Sequence, residues 1–259
     1  MNWALKNISD GFQRRSLWTR LAITDIQQTY RRSILGVAWI SLSFAMFISV
    51  KILIFGSFPA VDRNTFAIWL AVGFWIWLFL IDAVVGGCNS FIAARPWIIG
   101  TNIPLSVYVL QTTTRALIRF SFALPVVVGV LIFFKWDFSP QWFWSLAGLA
   151  ALIINCLWAQ LFLAAICVKY RDFGHLTQSI MHVMFFLTPI LYQPEQLGDK
   201  AYLLNFNPFT HYLAVVRDPI YYQTFPTLSW QVVSVTTVLG WIIALLVFKR
   251  LGPEVPFRV

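Results

Sequence analysis

The sequence predicts an all-α, polytopic membrane protein, and three observations carry that reading. Hydrophobic residues make up 59% of the chain and charged residues only 11%, less than half the roughly 25% charge of a soluble domain. Six stretches are apolar for long enough to cross a bilayer, whose core of about 30 Å takes roughly 20 residues at 1.5 Å each. Lysine and arginine also crowd into alternate inter-span segments, the bias that sets membrane orientation.

In chain order, residues 1–33 form a cytoplasmic N-terminal unit and residues 34–259 the membrane domain. The opening MNWALKNISDGFQRRSLW has no apolar signal-peptide core. The first span is therefore expected to be retained and to act as its own insertion signal. Residues 12–30 are polar but periodic: Leu17, Trp18, Leu21, Ala22, Ile26 and Tyr30 fall near one helical face, with Arg14, Arg15, Arg20 and Gln28 around the rest. This is the pattern of an amphipathic helix in the cytoplasmic interface, either a plain anchor or one that also touches a partner.

The six transmembrane helices are predicted at residues 34–55, 66–89, 107–134, 142–168, 176–192 and 230–248. The third carries Arg115 and Arg119 near its start and should begin outside the hydrocarbon; the fifth is the shortest. With the N-terminus inside, only Arg63, Lys135, Lys200 and Arg217 of the 19 basic residues fall in the opposite segments. Lys51 lies within the first span, where it could snorkel, and the rest are cytoplasmic. Both termini are expected inside. The net charge of +9 is then a topology signal, and no nucleic acid is needed to explain it.

Residues 193–229 are interrupted by Pro194, Pro208, Pro219 and Pro226, too often for a span. Yet 202–206 and 212–216 are too apolar for an aqueous loop. Short re-entrant helices in the outer leaflet fit, with their irregular backbone shielded by protein or lining a cavity. Pro189 is expected to loosen the outer end of span five and make it one arm of a gate.

Three stretches carry a family resemblance: YRRSILGVAWISL (30–42), NIPLSVYVLQTTTRALIRF (102–120), and RDFGHLTQSIMHVMFFLTPILY (171–192) followed by NPFTHYLAVVRDPI (207–220). In this order, on six spans, they resemble the ABC-2 type permeases of polysaccharide exporters, which move O-antigen, capsule or teichoic acid chains. The resemblance covers nearly the whole chain. It departs at Phe44, where many relatives carry proline after LGxxWxxL. It implies a pore of two identical copies in the bacterial inner membrane, each docked on a separate cytoplasmic ATP-binding cassette ATPase, with a lipid-linked glycan as cargo. The coupling element would be residues 94–104, with Arg95, Pro96 and Trp97 as contacts. Lys169, Arg171 and Asp172 would face the ATPase or the cytoplasmic mouth. An outer closure over 192–220 would involve Pro189, Asn207, Pro208 and Arg217.

Catalytic chemistry finds little support. No GxxxxGK[ST] occurs, so ATP and magnesium are expected on a partner and no cofactor on this chain. Asp172-Phe173-Gly174 lacks the rest of the kinase signature. His175, His182 and His211 show no metal-ligand spacing, and Cys88, Cys156 and Cys167 read as small buried hydrophobes. Charges inside spans are more informative, since each is costly in lipid. Arg115 and Arg119 share a helical face, and a pairing of Asp82 with one or both is expected to hold spans two and three together. Mid-span rings at Trp39, Phe44, Phe47, Trp75, Trp77, Phe79, Phe185 and Phe186, with Tyr192, either pack against protein and lipid or line a path. There their flat faces would bear sliding contact with the C–H faces of sugars. Rival readings are an exporter of small hydrophobic molecules on the same fold, a proton-coupled transporter, which would need more intramembrane acids than Asp82, and a membrane scaffold.

Overall fold

The computed structural model describes residues 2–56 and 62–259. Its α-helices are α1 (Asn2–Gln13), α2 (Arg15–Thr29), α3 (Ala38–Phe55), α4 (Arg63–Ala93), α5 (Arg95–Gly100), α6 (Ser106–Phe133), α7 (Phe143–Lys169), α8 (Asp172–Leu187), α9 (Pro208–Tyr221), α10 (Thr227–Leu251) and α11 (Val255–Arg258). No strand occurs among the described residues. Five helices are long and apolar enough to cross a membrane: α3, α4, α6, α7 and α10. The chain is a multi-pass membrane protein.

The fifth predicted span, 176–192, is displaced to α8, which starts four residues earlier and ends at Leu187. Its 16 residues reach about 24 Å at 1.5 Å each, short of the roughly 30 Å core. The helix stops because Pro189 forces its predecessor into extended backbone, and Thr188 stands at φ −93°, ψ 136°. By contrast, α3 runs unbroken through Phe44, the position at which the sequence departs from the family pattern.

Helix α4 is the pillar. Asp62 caps it, accepting a hydrogen bond from the Thr65 amide at 3.0 Å, which satisfies one of the free N–H groups of the first turn. Some 72% of its most apolar stretch is buried in protein, against 17% for α3 and 22% for α10. A helix apolar on all sides belongs in the interior, and α4 packs against α6, α7, α8 and α9. Small residues allow the close approaches. A Cβ at Gly87 would sit 2.9 Å from the Gln160 backbone, and one at Gly148 would overlap the Val215 carbonyl oxygen. Polar links complete the bundle: Thr113 Oγ1 donates to Gln160 Oε1 at 2.9 Å, and Tyr212 Oη donates to Asn155 Oδ1 at 3.1 Å.

The amphipathic helix expected over 12–30 is α2, and a separate helix, α1, precedes it across a break at Arg14 (φ −83°, ψ 41°). Its apolar side is spent on protein: Ala22 and Ile26 are buried, and α2 lies along α6. Between α8 and α10, a 3-10 run (Pro194–Phe206) kinks at Gly198 and gives way to α9. The apolar stretch 212–216 is wholly buried in contact with α4, α7 and α10.

Candidate functional site

Helical periodicity builds one groove. On α4, Trp75, Leu78, Phe79, Asp82, Val85, Gly86 and Asn89 recur at three- and four-residue steps, which puts them on one face. Ile40, Ser43, Phe44 and Phe47 do the same on α3, and Arg115, Ala116, Arg119, Phe120 and Ala123 on α6. With Trp39, Phe74, Tyr30 and the α8 residues Gln178 and His182, these side chains line a cavity of about 910 Å³. Along α4, Phe74 to Asn89 spans about 22 Å.

Aromatic stacking shapes its walls. Phe47 stacks on Phe74 (centroids 4.4 Å apart). Trp75 stacks on Phe120 (3.9 Å, 9° between planes) and donates its Nε1–H to the Phe120 carbonyl at 2.9 Å. Phe44 and Phe79 are buried in the floor, whereas Trp39 and Phe47 are exposed.

The charged residues run from the middle of this groove towards α5. Arg119 Nη1 donates to Asp82 Oδ1 at 3.0 Å. The structure separates the two arginines: Arg115 faces Asp25 of α2 at 3.9 Å, and Gln111 Nε2 donates to the same carboxylate at 2.6 Å. Asp25 was missed by sequence reasoning, although it is an isolated acid in a basic segment.

Four predicted path residues lie elsewhere. Trp77 is two residues beyond Trp75, hence about 200° around the helix; it is buried on the far side, packed against Phe185 and Phe209. Phe185 fills the α4–α8 junction, touching Phe74 as well. Phe186 points away, largely exposed. Tyr192 lies in the turn after α8, its carbonyl accepting the Trp69 indole N–H at 3.0 Å.

That turn belongs to a tied cluster at the α9 end. Arg217 is 2% exposed. Its guanidinium lies 3.3 Å from the Trp69 ring centroid and donates to the Pro189 carbonyl at 2.7 Å. Asp218 stands 3.5 Å away. Asn207 Nδ2 donates to Thr188 Oγ1 at 2.9 Å while its Oδ1 accepts from the Phe209 amide and caps α9, with Pro208 at the first helical position. Pro189 ends the helix but is pinned, not loosened. Trp69 gave no sequence signal, because indole-on-guanidinium contact across 148 residues follows only from the fold.

At the opposite end, Arg95, Pro96 and Trp97 open α5 and are exposed, with Ile98 buried beneath them. Lys169, Arg171 and Asp172 are exposed at the α7–α8 corner. No group of three or more His, Cys, Asp or Glu able to hold a metal occurs among the described residues.

A membrane bundle around one buried helix, with a groove lined by aromatic and charged side chains, suits the membrane part of a transporter. Residues 16–221 match the family model described as ABC-2 type transporter, and the chain belongs to that family. It is similar to an O-antigen export system permease protein RfbA of Myxococcus xanthus, at 24% identity over 92% of this chain and 93% of that protein. It is also similar to an O-antigen export system permease protein RfbA of Klebsiella pneumoniae, at 23% identity over 88% of each chain.

Proposed function

We propose that the chain is the membrane subunit of an ATP-driven exporter that moves a lipid-linked, O-antigen-like polysaccharide across the bacterial inner membrane. The observation that carries this reading is the groove itself, about 22 Å long on α4, with stacked rings along its half nearer α9 and charged side chains from its middle towards α5. Rings offer contact without fixing one register, which suits a polymer advancing in steps. The groove is open on one flank, and a second copy would close it into a conduit. The resemblance of the chain over its length to O-antigen export permeases supports the choice of cargo.

In this reading both termini and α5 are cytoplasmic, α8 acts as a sixth, short span, and α9 with the preceding 3-10 run re-enters the outer leaflet. Separate ATPase subunits bind ATP and press on 94–104 and on Lys169–Asp172. The small changes at these helix ends swing α8 and α3 away from the α4–α6 wall of the groove. Asp82–Arg119 holds α4 and α6 together while that happens.

The test is a deletion strain complemented with Trp39→Ala and Phe47→Ala. These exposed rings line the groove, so the variants should reach the membrane at normal levels yet export less surface polysaccharide, with precursor accumulating inside. Normal surface polysaccharide in the deletion strain would reject the cargo. Loss of resistance to a small hydrophobic compound with polysaccharide intact would favour small-molecule export instead.

A further inference from the structure

Beyond the last long helix the chain folds back in a way the coupling-loop reading leaves unused. Gly252 passes directly under the Trp3 ring of α1, where a Cβ would stand 2.6 Å from ring atoms. Val255 is 1% exposed and sits in the same apolar cluster as Ala94, Ile98 and Val168. Segment 252–258 is therefore a built part of the bundle end, lying against α5 and α7. What it presents outward is Phe257, 90% exposed, and Arg258.

Arg258 helps line a hollow of about 310 Å³ with Arg95, Arg171, Ile92, Val168 and Val259. Three guanidinium side chains from three separate elements thus converge, and no Asp or Glu side chain lines the hollow. Arg258 is shared with Glu254 at 2.9 Å, while neither Arg95 nor Arg171 has a carboxylate within 4.0 Å among the described residues. Arg95 and Arg171 thus bring like charges to the hollow without a carboxylate of their own, so the arrangement gains stability when an anion enters.

We infer that segment 252–258 is a third element of the ATPase-docking surface, with Phe257 as an apolar anchor and the Arg95–Arg171–Arg258 hollow as the seat for an acidic side chain of the ATPase. This rests on the export reading above, which already gives Arg95 and Arg171 to that partner. The hollow joins their two sites into one surface through Arg258. It caps the end of the bundle between α5 and the α7–α8 corner, where a cytoplasmic partner can reach it. Aromatic and arginine side chains are the types that dominate such interfaces.

The experiment uses the full-length permease co-expressed with an ATP-binding cassette ATPase from the same organism. A photo-crosslinking amino acid at position 257 should give an adduct at the summed mass of permease and ATPase. An adduct with lipid alone would mean that Phe257 lies in the membrane surface, and would overturn the inference. Phe257→Asp combined with Arg258→Glu should weaken ATPase co-purification about tenfold or more, the scale of losing an interface anchor, with the permease still extracted as a monodisperse species. Both side chains are exposed or half-exposed, so the fold should tolerate the change. If Trp97→Ala and Arg95→Glu release the ATPase but the 257/258 variant holds it like wild type, the third element is wrong and the export reading stands. If wild type itself holds no ATPase, the export reading fails with it.

Discussion

Arg217→Met tests whether the α9-end cluster is a tied unit. Methionine fills much of the same volume but removes the charge and all five donors. The wild-type side chain makes a charge-assisted bond to the Pro189 carbonyl (2.7 Å), worth about 1.5–3 kcal/mol. It also makes a desolvated contact with Trp69 at 3.3 Å, worth about 2 kcal/mol. Together these reach roughly the 3–5 kcal/mol expected when one partner of a buried ionic group is removed. At 1.4 kcal/mol per factor of ten, opening of the turn after α8 should become about two to three orders of magnitude easier. Hydrogen exchange followed by mass spectrometry reads this directly, as faster exchange of the amides in 187–207 with the rest of the bundle unchanged. Arg217→Lys, which keeps the charge and three N–H donors on a single nitrogen, should fall between. If Arg217→Met exchanges within about threefold of wild type, a difference of under 1 kcal/mol, the turn is held by packing alone and the argument fails.

The remaining predictions concern the bundle itself. Asp82→Arg or Arg119→Asp alone should lower export by setting like charges about 3 Å apart, and the double reversal should restore it. The pair is half-buried, so its removal should cost between the 1 kcal/mol ceiling of an exposed pair and the 3–5 kcal/mol of a buried one, read by thermal unfolding in detergent. Gly148→Ala should be strongly destabilising, since the new methyl meets the Val215 backbone, whereas Gly129→Ala, with open space around it, should be neutral or stabilising by up to about 1 kcal/mol. Asp62→Ala should lower stability at neutral pH only. The hydrogen bonds from Thr65 hold the Asp62 carboxyl below its ordinary pKa, so its contribution is full above the unfolded-state value of about 3.9 and is lost as pH falls through the lower folded value. Unfolding curves of wild type and variant should converge in acid.

Why some of this was legible in the sequence and some not follows from the range of the interactions. Burial in lipid or protein is a property of long runs, so α3, α4, α6, α7 and α10 are visible as apolar stretches. The one-face stripes 75-78-79-82 and 115-116-119 are visible as spacing. Position in the chain puts Asp82 past the middle of α4 and Arg119 at the middle of α6. Partnership is a different matter. Nothing near Arg115 announces Asp25, and nothing near Trp69 announces Arg217, because each pair meets only after the helices pack. The misplaced ring at Trp77 shows the same limit inside one helix: hydrophobicity alone does not choose between two faces that are both buried.

That double burial of α4 also explains where motion is cheap in this protein. α4 shares contacts with six helices, most heavily with α6 and α7, and cannot shift without disturbing them; interiors packed to that density move between discrete arrangements and do not deform continuously. α3 is held mainly through α6, aided by Ser41 Oγ donating to the Phe122 carbonyl at 2.5 Å. α8, also lightly packed, is tied at its far end by Arg217. Widening the groove therefore costs least if α3 and the free, α5-proximal half of α8 swing away from a stationary α4–α6 wall. The charged residues of that wall, Asp82 and Arg119, would then stay in register throughout. Spin labels on α3 and on the first turn of α8 should show distances to α4 that change with the nucleotide state of the transporter, while α4–α6 distances hold constant. The opposite pattern would place the moving element in the pillar and contradict the packing.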